Sequence, residues 1–188
     1  MAVLDSAERD SANGKRTERA RRAYAIAHAG LRTVLATALG IDPEEVAFAE
    51  RQGPAEKPAL ANNTHGLTFN LSHTQDLVVF ALARGREVGI DVEWLGRRVN
   101  STALANRYFV DAELAELARA PRDGRKRAFL QLWTRREAHA KMTGEGLRRA
   151  RASGTGADGP FAGVPSDLLD LDLAPDHVGA LAVQSHSS

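Results

Sequence analysis

Two stretches of this 188-residue chain set acidic residues where they could share chemistry. In Val88-Gly89-Ile90-Asp91-Val92-Glu93, strand alternation sends Val88, Ile90 and Val92 to one face and Gly89, Asp91 and Glu93 to the other. Carboxylates at that spacing sit roughly 6.7 Å apart at Cα. Their repulsion is about 0.6 kcal/mol in bulk water and about 2.5 kcal/mol at an effective dielectric of about 20. The pair is harmless when wet and awkward when sheltered, unless a cation lies between the two. Oxygen ligands of this kind suit magnesium, which is commonly held by a few carboxylates together with substrate phosphates and waters. Read alone, the hexapeptide fits an edge strand with a wet acidic face at least as well.

The second stretch is Trp133-Thr134-Arg135-Arg136-Glu137-Ala138-His139-Ala140-Lys141. Residues four apart share a helix face, so Trp133, Glu137 and Lys141 form one stripe in which the indole shelters both charges. An ordinary Glu137–Lys141 salt bridge is the plain alternative. A third stretch, Phe69-Asn70-Leu71-Ser72-His73, ends an apolar strand in polar residues. Ser72 and His73 are adjacent in sequence, poor geometry for a nucleophile and its base. An anion-binding loop is more natural, with simple turn chemistry as the alternative. No phosphate-binding or dinucleotide glycine fingerprint occurs, and the histidines are scattered without helical metal spacing. The basic runs Lys15–Arg22 and Arg119–Arg127 read as solvated surface, the latter able to meet an acidic partner.

The elements that must position these residues follow from pattern. Residues 1–14 are polar and small and read as a frayed tail. Tyr24, Ala27, Leu31, Val34, Leu35 and Ala38 recur at helical spacing from Thr17 to a stop at Gly40. Val46-Ala47-Phe48 is a strand candidate, and 51–66 is loop. Strands are expected over 67–71, 77–83 and 87–93, with a turn at Gln75-Asp76. Short helices should follow Ser101 and Asp111, and a longer one should span about Arg125 to Met142. Residues 148–166 read as flexible, and Leu168–Leu173 and Val178–Val183 as a closing hairpin. The class is α+β, with helix-then-strands occurring twice. Hydrophobic residues are 43% of the chain, enough for a core, and 25 basic against 24 acidic residues leave a net charge of +1. That balance gives no global pull toward nucleic acid or membrane. The absence of cysteine excludes disulfides, thiolate metal sites and a cysteine nucleophile. With no membrane-length apolar run and charges where a signal peptide needs apolar residues, a cytoplasmic protein is expected.

The order and spacing of these stretches are more specific than any one of them. Phe69-Asn70-Leu71-Ser72-His73, Gly89-Ile90-Asp91-Val92-Glu93, Arg107-Tyr108-Phe109 with Glu113, and Trp133-Thr134-x-x-Glu137-Ala138-x-x-Lys141 followed by Gly144-Glu145-Gly146-Leu147 closely resemble the 4′-phosphopantetheinyl transferase superfamily, in its Sfp-like monomeric branch. The resemblance runs from about Arg21 to the closing hairpin. It implies a pseudo-twofold pair of similar α+β halves, 1–85 gripping the coenzyme A nucleotide and 86–188 carrying the metal site and catalytic helix, with the active site between them. It implies transfer of the phosphopantetheine arm of coenzyme A to a serine of an acyl or peptidyl carrier protein, with magnesium. By the same resemblance Asp91, Glu93 and Glu137 are metal ligands, Glu137 and Lys141 are catalytic, and Lys57, Ser72 and His73 bind the cofactor. Arg122, Arg125, Lys126 and Arg127 would meet an acidic carrier helix. The chain departs from the family pattern at Glu56, where a glycine usually precedes the lysine, and at Arg136, where lysine is common. The family's opening strand and early cofactor-binding lysines have no clear match, and Lys15, Arg16 and Arg19 are the candidates to replace them.

Overall fold

The computed structural model describes residues 3–50, 56–144, 146 and 166–185. Apart from Ser166, the segment expected to be flexible lies outside the described residues, as do Glu145 and Leu147. The frayed tail is instead a helix, α1 (Ser6–Asn13). Asp5 and Glu8 form a capping box, each side chain accepting from the other's backbone N–H. Its inner face meets α2 (Glu18–Leu39), where Arg32, 2% exposed, donates to Glu8 Oε2 at 2.6 Å and Asp5 Oδ2 at 2.5 Å. The same guanidinium donates to Val46 O at 2.8 Å. A local cap and a buried cation thus order a stretch whose composition alone reads as coil.

Helix α2 ends at Gly40, whose φ of 72° suits a left-handed cap. Leu31, Leu35 and Ala36 pack on Val46, Leu60, Leu67 and Phe69, which seats α2 and the loop on the hairpin of β1 (Leu67–Thr74) and β2 (Leu77–Arg84). The hairpin turns at Gln75-Asp76, with Gln75 at φ 50°. The strand candidate at Val46–Phe48 shrinks to a single bridge between Phe48 and Leu60. A second antiparallel sheet has the order β3 (Val88–Trp94), β5 (His177–Gln184), β4 (Ser166–Asp170). Between β3 and β4 come α3 (Ser101–Tyr108), α4 (Asp111–Arg119) and α5 (Arg125–Thr143).

Strands β1 and β3 lie side by side but belong to separate sheets. Alternate β1 side chains stand in for the missing ladder. Thr68 Oγ1 donates to Arg86 O at 2.5 Å, Asn70 Oδ1 accepts from Ile90 N at 3.0 Å, and Ser72 Oγ accepts from Val92 N at 3.3 Å. This seam fixes the acid-bearing strand against the Phe69–His73 strand.

Helix α5 crosses the second sheet at very close range. A Cβ on Gly89 would lie 2.1 Å from Ala138 O and 2.4 Å from Met142 N, and Ala180 and Ala182 are the small neighbours beneath the helix. Gly89→Ala must push α5 off β3. It is expected to cost about 1–3 kcal/mol by overpacking, which thermal unfolding followed by circular dichroism would register as a drop of several degrees. An unchanged melting temperature would contradict this contact.

Candidate active site

The alternation of β3 does what the sequence required of it. Val88 and Ile90 pack with Ala81, Val79 and Leu181, while Gly89, Asp91 and Glu93 turn toward α5. Past Gly89 the acids reach a cavity of about 1010 Å³ between the sheets. Ser72 and His73 of β1, Asp91 and Glu93 of β3, and Trp133, Glu137 and Lys141 of α5 all line it. Residues from three distant stretches therefore meet at one place.

The wet-face reading of the acidic pair does not hold, because Asp91 is 7% and Glu93 9% exposed. Nor does Lys141 bridge Glu137. Its Nζ donates to Asp91 Oδ1 at 2.7 Å and to Ile90 O at 3.1 Å. Ser72 Oγ donates to the same Asp91 oxygen at 2.9 Å. Asp91 Oδ2 is buried and accepts no hydrogen bond among the described residues. Glu93 is paired with the Arg97 guanidinium. Burial raises the Asp91 carboxyl against the opposing pull of Lys141, Ser72 and Arg97. Burial, helped by the Asp91 charge, pushes the Glu137 carboxyl up to about 7.

These features bear on whether the three acids fit a divalent cation. A buried carboxylate oxygen without a donor, in a carboxylate-lined cavity beside an acid held near neutrality, is the donor chemistry that magnesium takes. The acids fit, although no three His, Asp or Glu side chains among the described residues converge into a ready metal site. Asp91 is turned to Lys141, and Glu93 to Arg97.

The remaining predicted residues are arranged around this centre. His73 is exposed and lines both the cavity and a neighbouring groove shared with Arg19 and Arg22 of α2. Arg19 donates to Gln75 Oε1 at 2.8 Å. Lys57 lies outside the main cavity, its Nζ donating to Glu87 Oε2 at 2.6 Å and to Val88 O at 2.8 Å. It lines a smaller cavity of about 220 Å³ that also touches Glu56, Asn70, Glu137 and Lys141. Arg136 points away from the site into a buried pair with Glu113 of α4, Nη2 to Oε2 being 2.6 Å. Arg122, Arg125, Lys126 and Arg127 are all exposed, and Arg127 also donates to Pro175 O and His177 O, which ties it to the β4–β5 connection.

Sequence reasoning passed over three residues of the site. Arg97 and Arg98 line the main cavity from the turn after β3, and Arg22 reaches the groove beside His73. A basic pair closing the acidic strand was the available signal for the first two. Arg22 gave none beyond its helical spacing from Arg19.

Residues 87–183 match the model of the 4′-phosphopantetheinyl transferase superfamily. The chain is 35% identical over 177 residues to the 4′-phosphopantetheinyl transferase HetI of a Nostoc species, an alignment covering 93% of this chain and 71% of the relative. It is 38% identical over 113 residues to the 4′-phosphopantetheinyl transferase AcpT of Salmonella typhi, covering 60% and 56%. To the 4′-phosphopantetheinyl transferase psf-1 of Bacillus pumilus it is 34% identical over 119 residues, covering 63% and 47%. The alignments to the last two thus span about half of each relative's length.

Proposed function

Because the chain belongs to the 4′-phosphopantetheinyl transferase superfamily, a family of transferases, we propose that it moves the phosphopantetheine arm of coenzyme A onto a serine of an acyl or peptidyl carrier protein. The observation that carries this reading is the meeting of Asp91, Glu93, Glu137 and Lys141 in one cavity with Ser72 and His73.

In the proposed reaction the serine Oγ forms a bond to the phosphorus that bears pantetheine. The bond from that phosphorus to the bridging oxygen breaks, and adenosine 3′,5′-bisphosphate leaves. Glu137, poised near neutrality, takes the serine proton directly or through a water. Lys141 stabilises or protonates the leaving phosphate. Asp91, Glu93 and Glu137 would hold the magnesium ion, whose chemistry is neutralisation of the diphosphate. Buried Trp133 lines the same cavity, and an apolar wall strengthens the charge interactions beside it.

The N-terminal half, 1–85, serves as the nucleotide grip, and 86–188 supplies the metal site and the catalytic helix. His73 with Arg19 and Arg22 lines a groove suited to the 3′-phosphate, in which Asp76 lies 3.7 Å from Arg19. Ser72 and Lys57 have internal partners, so their contacts to coenzyme A require those bonds to be shared or exchanged. Exposed Arg122, Arg125, Lys126 and Arg127 suit the acidic helix of a carrier, Arg127 while also bonded to the β4–β5 connection. The reading places a monomer in the cytoplasm, and among the described residues no helix is long and apolar enough to cross a membrane.

The test is release of adenosine 3′,5′-bisphosphate from coenzyme A when magnesium and an apo carrier are both present. A rival reading, a relative that binds coenzyme A without turnover, is favoured by the internal engagement of Lys57 and Ser72. Calorimetric binding of coenzyme A with no bisphosphate released, across several carriers, would decide for it.

The acids also set a pH dependence. Below about 7 Glu137 carries a proton that must leave before the carboxylate can bind a cation. Magnesium affinity should therefore fall about tenfold from pH 8 to pH 6, measured by calorimetry on the free protein. A pH-independent affinity would remove Glu137 from the ligand set.

A further inference from the structure

Arg97 is paired with Glu93, one of the three acids proposed to hold the metal. It follows β3 in a tight turn, its N–H donating to Trp94 O at 3.0 Å. Gly96 permits that turn, since a Cβ there would lie 2.1 Å from the Trp94 ring. The turn brings the guanidinium back onto Glu93, four residues earlier, forming an ion pair whose side chains are 41% and 11% exposed. The reach of Arg97 goes beyond that partner, for its charge also acts on Asp91 and on Glu137. Three acids therefore share two basic side chains, Lys141 on Asp91 and Arg97 on Glu93.

The two bases are not equivalent. Lys141 is 29% exposed and doubly held, by Asp91 and by Ile90 O. Arg97 is more exposed and stands on a turn, with Glu93 as the side-chain partner that holds it. A divalent cation added to a site already carrying both bases would overcompensate its three carboxylates, and the less firmly held base must give way. A guanidinium released at the rim of this cavity is well matched to phosphate oxygens, which it binds in a bidentate fork.

We propose that Arg97 is an exchangeable counter-ion, a positioning residue that holds Glu93 until magnesium arrives and then turns to the phosphates of the co-substrate. This rests on the reading that Asp91, Glu93 and Glu137 hold magnesium. It requires two effects of opposite sign from one substitution. Arg97→Ala removes the competitor of the metal, so the free protein should bind magnesium chloride about three- to tenfold more tightly. The same change removes a phosphate partner, so coenzyme A at saturating magnesium should bind more weakly, again about three- to tenfold. A purely structural role would weaken both.

The experiment is calorimetry of the intact protein, wild type, Arg97→Ala and Arg97→Lys, first with magnesium chloride alone and then with coenzyme A at saturating magnesium. Unchanged melting temperatures show that each variant is folded. Tighter magnesium with weaker coenzyme A in Arg97→Ala, and magnesium affinity restored toward wild type in Arg97→Lys, is the expected result. Magnesium binding by Arg97→Ala alone also supports the exchange. If wild type binds magnesium and Arg97→Ala binds it no more tightly, the exchange is wrong while the metal site stands. If neither protein binds magnesium, the metal site and the exchange fall together.

Discussion

Replacing Glu137 with glutamine is expected to lower phosphopantetheine transfer by about a hundred- to ten-thousandfold while leaving the fold intact. The substitution keeps size and shape, and α5 owes its place to Phe129, Leu130, Ala138 and Met142 rather than to the half-buried Glu137. It removes the group placed to take the serine proton and one of three cation ligands. The sign of its effect on stability is opposite to that on activity. A carboxyl raised from 4.5 to about 7 by burial and by Asp91 favours the folded state while protonated. That contribution is present below 4.5 and is lost as pH rises through about 7. Metal-free Glu137→Gln at pH 8 should therefore melt at or above the wild-type temperature. A variant that keeps the full transfer rate would remove Glu137 from the chemistry. One that melts well below wild type would show the residue to be a structural support instead.

The largest expected loss of stability lies on the other side of the same helix turn. Arg136 and Glu113 are 1% and 4% exposed and joined by three contacts, Nε at 2.9 and 2.8 Å from the two carboxylate oxygens and Nη2 at 2.6 Å from Oε2. Glu113 also caps α4, accepting from Val110 N at 3.0 Å. Glu113→Ala removes the carboxylate that the buried guanidinium is forked onto, and the expected cost is about 3–5 kcal/mol. Urea unfolding would register it as a shift of the midpoint at unchanged slope. Arg136→Lys keeps the charge but loses the fork, so its loss should be smaller. Replacing both partners with apolar residues should recover much of the single-variant loss, because the cost lies in breaking one half of a buried charge pair. A Glu113→Ala midpoint equal to wild type would contradict the burial of this pair.

The elements that carry the site were the most legible part of the sequence. The strand alternation of Val88–Glu93 and the Trp133–Glu137–Lys141 stripe are local patterns, and both survive in β3 and α5. Partnership was less legible, because it depends on residues far apart in the chain. Lys141 is four residues from Glu137, yet bonds Asp91, fifty residues away in sequence. Arg136 reads as a basic neighbour of the site and turns out to be locked to Glu113. The seam of Thr68, Asn70 and Ser72 is invisible to propensity, since it consists of side chains doing a backbone ladder's task across two sheets. Helix α1 was readable in principle. Asp5 and Glu8 have capping-box spacing, but short polar residues around them gave the stretch the composition of coil. Burial decided the rest, for a carboxylate pair looks the same in sequence whether it faces water or α5.

The most direct measurement is the intact mass of an apo carrier protein after incubation with this chain, coenzyme A and magnesium. Gain of one phosphopantetheine on the carrier serine, lost with a Ser→Ala carrier, with chelator and with Glu137→Gln, is the predicted result. A carrier whose mass stays unchanged across acyl, polyketide and peptidyl types, with folded protein and saturating coenzyme A, would contradict it.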